Sequence, residues 1–255
     1  MGPASSTSCL MTCRTRLGSS VTTGHGPVES LRNRSGIMAC DTARRRHMQH
    51  TQYISTRGQM APAGFMDVLL AGLAPDGGLA VPERLPALTP EQLETWRSLN
   101  YAELATEVIG LFATDIPRED LAALTLAAYG ESRFPQPVVP VTELDDVADG
   151  LVLVGLSEGP TMAFKDLAMQ FLGQAIPYVL AKRGKVLNIL GATSGDTGSA
   201  AEHAFRGQEG VSVFMLSPAG RMSPVQRAQM YTLQDANIHN IAVRGVFDDC
   251  QALVK

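Results

Sequence analysis

The chain has 255 residues, of which 45% are hydrophobic and 18% charged, and its formal net charge is −4. That length fits one large domain or two modest ones, and the acidic balance argues against a nucleic-acid surface. No apolar run approaches the roughly 18–20 residues that cross a bilayer, because Pro177 and Lys182 interrupt the stretch from Phe171 to Leu187.

Charge is unevenly spread. Residues 1–47 carry seven arginines against Glu29 and Asp41, while the rest holds fourteen basic against twenty-three acidic residues. This leader is rich in Ser, Thr, Gly and Arg, lacks the apolar core of a secretory signal, and superficially fits an organellar transit peptide. It reads as a disordered or over-extended start, with Met48 as a natural first residue and the leader dispensable for stability. Cys9, Cys13, Cys40 and His25 lack the spacing of an ordinary zinc site, so no metal is expected. Cys250 is the one cysteine of the body, which excludes an internal disulfide framework there and suits a reducing, cytoplasmic compartment.

From Phe65 to Tyr129 the spacing is mainly helical. Phe65–Leu73 is a short amphipathic helix ended by the turn residues Pro75-Asp-Gly-Gly78. Thr89 caps the next, with Pro90 in its first position. Asn100 to Phe112 and Pro117 to Tyr129 repeat the i, i+3, i+4 pattern. Pro135, Pro137 and Pro140 then punctuate a linker. From about Leu144 strands near 151–156, 185–190, 211–216 and 238–243 alternate with helices near 164–182, 196–206, 223–233 and 247–255, the pattern of a parallel α/β sheet. Three regions follow: the leader 1–47, a helical region 48–140 and a partial α/β domain 141–255.

Two junctions carry chemistry. The apparent strand Leu151–Ser157 leads through Glu158-Gly-Pro-Thr-Met-Ala-Phe-Lys165 into a helix. A lysine wedged there beside Phe164 reads in one of two ways. It is either a desolvated, nucleophilic amine suited to an aldehyde cofactor, or an ordinary lysine snorkelling from a helix start. The run Gly191-Ala-Thr-Ser-Gly-Asp-Thr-Gly198 joins a buried strand to a helix. It lacks the Lys-Ser/Thr of a Walker loop and the G-x-G-x-x-G spacing of a dinucleotide fingerprint. It reads as an anion site at a helix N-terminus, or as a βα turn capped by Thr193, Ser194 or Asp196.

Together these segments resemble threonine synthase, a fold-type II pyridoxal-phosphate enzyme of tryptophan-synthase-β-like architecture. Tyr53–Gly58, Leu70–Leu79 and Pro218–Met230 extend the resemblance in order over roughly residues 51–255. The resemblance implies a PLP-dependent carbon–oxygen lyase that converts O-phospho-L-homoserine and water into L-threonine and phosphate. Lys165 would be the catalytic, cofactor-bearing lysine, and Asp196 would stand near the cofactor. Thr193, Ser194, Gly195 and Thr197 would form the substrate-carboxylate loop. Ser55, Thr56 and Arg57 are candidates for the substrate phosphate, and Arg221, Ser223 and Gln226 for supporting roles. Each could equally be a solvated turn or a helix cap, and His203 reads as structural. The family's phosphate cup and ring-nitrogen partner have no counterpart here, so the chain reads as an N-terminal fragment, α/β and incomplete at its C-terminus, inactive alone. The rival readings are a related phospholyase of the same fold type and a non-catalytic anion-binding module.

Overall fold

A computed structural model of the chain describes residues 11–15 and 50–254. Its main sheet has the order β1-β6-β7-β8. The strands β6 (Leu187–Ala192), β7 (Val211–Pro218) and β8 (Ile238–Val243) run parallel. β1 (Met11–Thr15) lies antiparallel on the outer edge of β6, with Met11 opposite Gly191 and Thr15 opposite Leu187. The leader therefore holds a strand where its composition suggests none. The metal question raised for Cys9, Cys13, Cys40 and His25 falls outside the described residues, Cys13 contributing backbone only.

Alternation along β6 and β7 divides the core into two layers. Leu187, Ile189, Val211, Val213 and Met215 face helices α5 (Asp166–Arg183), α6 (Asp196–Phe205) and α7 (Pro224–Tyr231). Leu190, Ala192, Leu216 and Val243 face the other way, onto α8 (Phe247–Val254). The α5–α6 contact is close because Gly173 brings its backbone against the Ala204 carbonyl; any side chain there would collide with it. Pro177 sits inside α5, four residues after this glycine, and offers no amide to the Gly173 carbonyl.

The N-terminal helices build onto α5. The helices are α1 (Phe65–Ala71), α2 (Pro90–Trp96), α3 (Tyr101–Gly110) and α4 (Arg118–Tyr129). Thr89 and Asn100 each close a capping box at the start of α2 and α3, as the Thr-Pro-Glu-Gln and Asn-Tyr-Ala-Glu runs require. Leu121, Leu124 and Ala128 of α4 share a core with Phe171 and Ala175 of α5. Tyr129 donates to the Leu167 carbonyl at 2.7 Å. Tyr178 and Lys182 both reach the Asp120 carboxylate, at 2.6 and 3.1 Å. The helical region is thus fastened along the whole of α5, down to the turn that carries Lys165.

Two short ladders go beyond the sequence expectation. β2 (Tyr53–Ser55) pairs with β3 (Ala80–Pro82). β4 (Val141–Glu143) pairs with β5 (Val152–Val154), antiparallel. The strand expected at 151–156 as part of the parallel sheet is therefore a hairpin arm, exposed along its length. The intervening Asp145-Asp146-Val-Ala-Asp-Gly150 explains this. Asp145 accepts the Gly150 amide at 3.0 Å, a turn that returns the chain onto itself.

Glu202 of α6 is fully buried. Asn240 donates to its Oε2 at 3.3 Å, and its Oε1 has no partner. Burial pushes this carboxyl up to about 8, against the pull of Asn240. The folded chain therefore holds a proton that the unfolded chain gives up near pH 4.5. The resulting stability is fully present below that pH and is lost as pH rises through about 8. Glu202→Gln, which mimics the protonated acid, should flatten this dependence. Thermal unfolding at pH 5 and 9 should show a gain at pH 9 on the order of 2–4 kcal/mol. An equal effect at both pH values would contradict the assignment.

Candidate active site

Lys165 closes the turn before α5, and Asp166 begins the helix. The Asp166 carboxylate is fully buried and folds back on the lead-in. Its Oδ2 accepts the Thr161 amide and its Oδ1 the Thr161 hydroxyl, both at 2.8 Å. Gly159 passes directly against the Asp166 side chain, leaving no room for a Cβ. Gln229 of α7 donates to the Thr161 carbonyl at 2.9 Å. The next residue, Met162, has φ +57, a left-handed conformation uncommon for a side chain of that size. This clamp sets where Lys165 emerges.

The lysine side chain is 23% exposed, and its Nζ lies 3.9 Å from Asp196 Oδ2 and 4.5 Å from the centroid of the Phe164 ring. The apolar wedge expected around it is not formed. Phe164 is 61% exposed, and a carboxylate stands opposite the amine. Both neighbours attract a cation, and both come from segments that the clamp and the α6 terminus fix.

The 192–198 run connects β6 to α6. Thr193 is buried, and its hydroxyl accepts the amides of Gly195 at 3.0 Å and Gly198 at 2.8 Å. Of the capping candidates it is Thr193 that ties down the first turn, so its oxygen is committed to the backbone. Gly195 has φ +147 and ψ −70, and its Cα faces the Gln226 amide so closely that a Cβ would overlap it. Gly198 packs likewise on Thr193 and on Met230. Ser194 and Asp196 point outward, and Thr197 is half-buried. The N-terminus of α6 thus offers the Asp196 and Thr197 amides beside the Ser194 and Thr197 hydroxyls, with the Lys165 amine across from Asp196.

Gln226 holds this arrangement from α7. It completes the Ser223 capping box, accepts from the Ser223 hydroxyl at 3.0 Å and donates to Asp196 Oδ1. Ser223 and Gln226 are therefore helix caps, and Gln226 also positions a carboxylate of the site. Sequence reading assigned no role to Thr161, Asp166 or Gln229. The available signal was an acid at the first position of a helix five residues after a threonine. His203 Nε2 donates to the Gln229 carbonyl at 3.3 Å, and burial lowers its pKa, in keeping with a structural role. Arg57 lies elsewhere: it donates to the Asp76 carbonyl at 2.9 Å. Asp76 in turn takes the Ser55 hydroxyl at 2.6 Å and the amides of Gln59 and Gly78 at 2.9 Å. These bonds join the 53–58 and 70–79 blocks. No contact from Ser55, Thr56 or Arg57 to the Lys165 turn is present among the described residues.

Residues 52–129 match the family model described as "Threonine synthase N terminus". The chain is 57% identical over 209 residues to threonine synthase of Corynebacterium glutamicum, covering 80% of this chain and 43% of that protein. The chain is similar to the N-terminal part of threonine synthases. It is 52% identical to the Methylobacillus glycogenes enzyme, covering 80% of this chain and 44% of that one. A crystal structure of PLP-bound threonine synthase from Brucella melitensis superposes with a TM-score of 0.74 at 44% identity, covering 80% of this chain and 43% of that one. The architecture is accordingly that of a fold-type II enzyme, and the chain spans less than half the length of the threonine synthases it matches.

The Gly195 geometry makes a direct prediction. Gly195→Ala should cost about 1–3 kcal/mol, because a side chain at this φ is strained and must also displace Gln226 from Asp196. Denaturant unfolding measures the loss, and Gln226→Ala should cost less. Equal stability of the glycine and alanine forms would contradict the geometry.

Proposed function

We propose that this chain supplies the lysine and the substrate loop of a pyridoxal-phosphate-dependent threonine synthase. The reaction takes O-phospho-L-homoserine and water to L-threonine and phosphate. The single observation that carries the reading is the convergence of Lys165 and the Thr193–Gly198 loop in a chain 57% identical to a threonine synthase.

The residues fit the cofactor's aldehyde. Lys165 presents a primary amine on a turn held by the Asp166 clamp, 3.9 Å from Asp196 at the start of α6. When bound, pyridoxal phosphate supplies an electron sink for negative charge beside the substrate amino group. The chain's own groups do the rest. Lys165 Nζ takes and returns the proton at the substrate α-carbon. Asp196, braced by Gln226, keeps that amine directed at the loop. Thr193 shapes the loop by accepting two amides and keeps its own O–H to donate to the substrate. Ser194, Thr197 and the amides of Asp196 and Thr197 at the start of α6 join it in holding the substrate carboxylate, where the helix end favours an anion. A cytoplasmic setting belongs to the same proposal, supported by the free, buried thiol of Cys250.

Trapping tests the reading on the chain as it stands. Incubation with pyridoxal phosphate, borohydride reduction and peptide mapping should place the pyridoxyl group on Lys165 ahead of Lys182 and Lys185. Lys165→Arg should abolish that label, since a guanidinium stays protonated. Labelling spread evenly over the three lysines would overturn the assignment.

A further inference from the structure

The sheet topology says what the outer edge of β6 is for. The connections β6-α6-β7 and β7-α7-β8 step across the sheet in one direction, with both helices on the α5 face. The chain leaves β8 on the opposite face, where Phe247, Cys250 and Val254 of α8 pack over Leu190, Ala192 and Leu216. Parallel crossovers are right-handed, so a connection on this second face must step back in the opposite direction. Because β6, β7 and β8 are already neighbours, the next parallel position after α8 is the outer edge of β6. That position is taken by β1, running antiparallel.

We infer that the outer edge of β6 is a strand-acceptor edge and that Met11–Thr15 is its intramolecular cap, standing where a parallel strand following α8 would lie. The occupant is a segment of this chain, and the inference is independent of the catalytic reading. An open edge beside Leu187 and Ile189, both fully buried, would present unpaired amides and carbonyls to another chain. The leader strand removes that hazard, so it is not the bystander that its composition suggests.

The ladder supplies a residue-level readout. Leu187 donates to the Gly210 carbonyl and Thr193 to that of Leu216, both toward β7. Alternation therefore turns the amides of Asn188 and Leu190 outward, opposite Arg14 and Thr12. Hydrogen exchange of the whole chain should show Asn188 and Leu190 protected. In Thr12→Pro/Arg14→Pro, which removes two ladder donors, those two amides should exchange about tenfold or more faster while Leu187 and Ile189 keep their protection. A chain starting at Met48 should behave alike and associate with concentration in light scattering, and a peptide of residues 8–18 should suppress that association. Unchanged exchange at Asn188 and Leu190 in the proline variant, or a Met48 chain as monomeric as the whole, would overturn the inference. General unfolding is told apart because it would expose Leu187 and Ile189 as well.

Discussion

The pair of hydrogen bonds from Thr161 to the buried Asp166 carboxylate is the constraint on which the site depends. A buried carboxylate is tolerated only when its lone pairs are used, and here a backbone amide and a hydroxyl from the same residue use them. The loop between the two residues must then close tightly. Its closure forces Gly159 against Asp166, puts Met162 at positive φ, and delivers Lys165 at one defined point of the α5 terminus. Removing the carboxylate would leave two buried donors unpaired, at about 1–3 kcal/mol each, and would free the lysine turn. Gln229 extends the constraint to α7, so the lysine turn and the Gln226 brace on Asp196 share one helix.

The sheet provides the other half. The Thr193 loop leaves the carboxyl end of β6. Open α/β sheets bind ligands outside the carboxyl ends of their strands. The loop's geometry follows from backbone demands more than from hydroxyl chemistry: one threonine oxygen holds two amides, and two glycines admit the close approach of Gln226, Thr193 and Met230. Of four polar side chains that read alike in the sequence, Thr193 is buried, Thr197 half-buried, and Ser194 and Asp196 face outward. The fold thus sorts a uniform-looking motif into scaffold and contact residues.

Much of this was legible from the residues. The helices α1 to α4 follow their apolar spacing, and the α2 cap was visible as Thr-Pro-Glu-Gln. The parallel strands β6, β7 and β8 stand where β-branched and aliphatic runs put them. The lysine turn and the glycine loop were visible as motifs because their glycines and small polar residues sit between opposite periodicities. What escaped was non-local. The 151–157 run is as apolar as a buried strand, and only its pairing partner ten residues earlier shows it to be a hairpin. Asp166 looks like any acid in a first helical turn; its role rests on Thr161, whose carbonyl is held by Gln229, sixty-eight residues further on. The leader strand has no pattern of its own, because an edge strand is specified by the ladder it joins.

The account stands on the claim that the Asp166 clamp places the Lys165 amine beside the Asp196 loop. The direct measurement is the yield of pyridoxyl label on Lys165 relative to Lys182 in Asp166→Ala and Thr161→Val, with far-ultraviolet circular dichroism to confirm a native helix content. The account predicts that Asp166→Ala brings Lys165 down to the level of Lys182, and that Thr161→Val, which keeps the amide bond, falls between. Undiminished preference for Lys165 in a natively folded Asp166→Ala would contradict it.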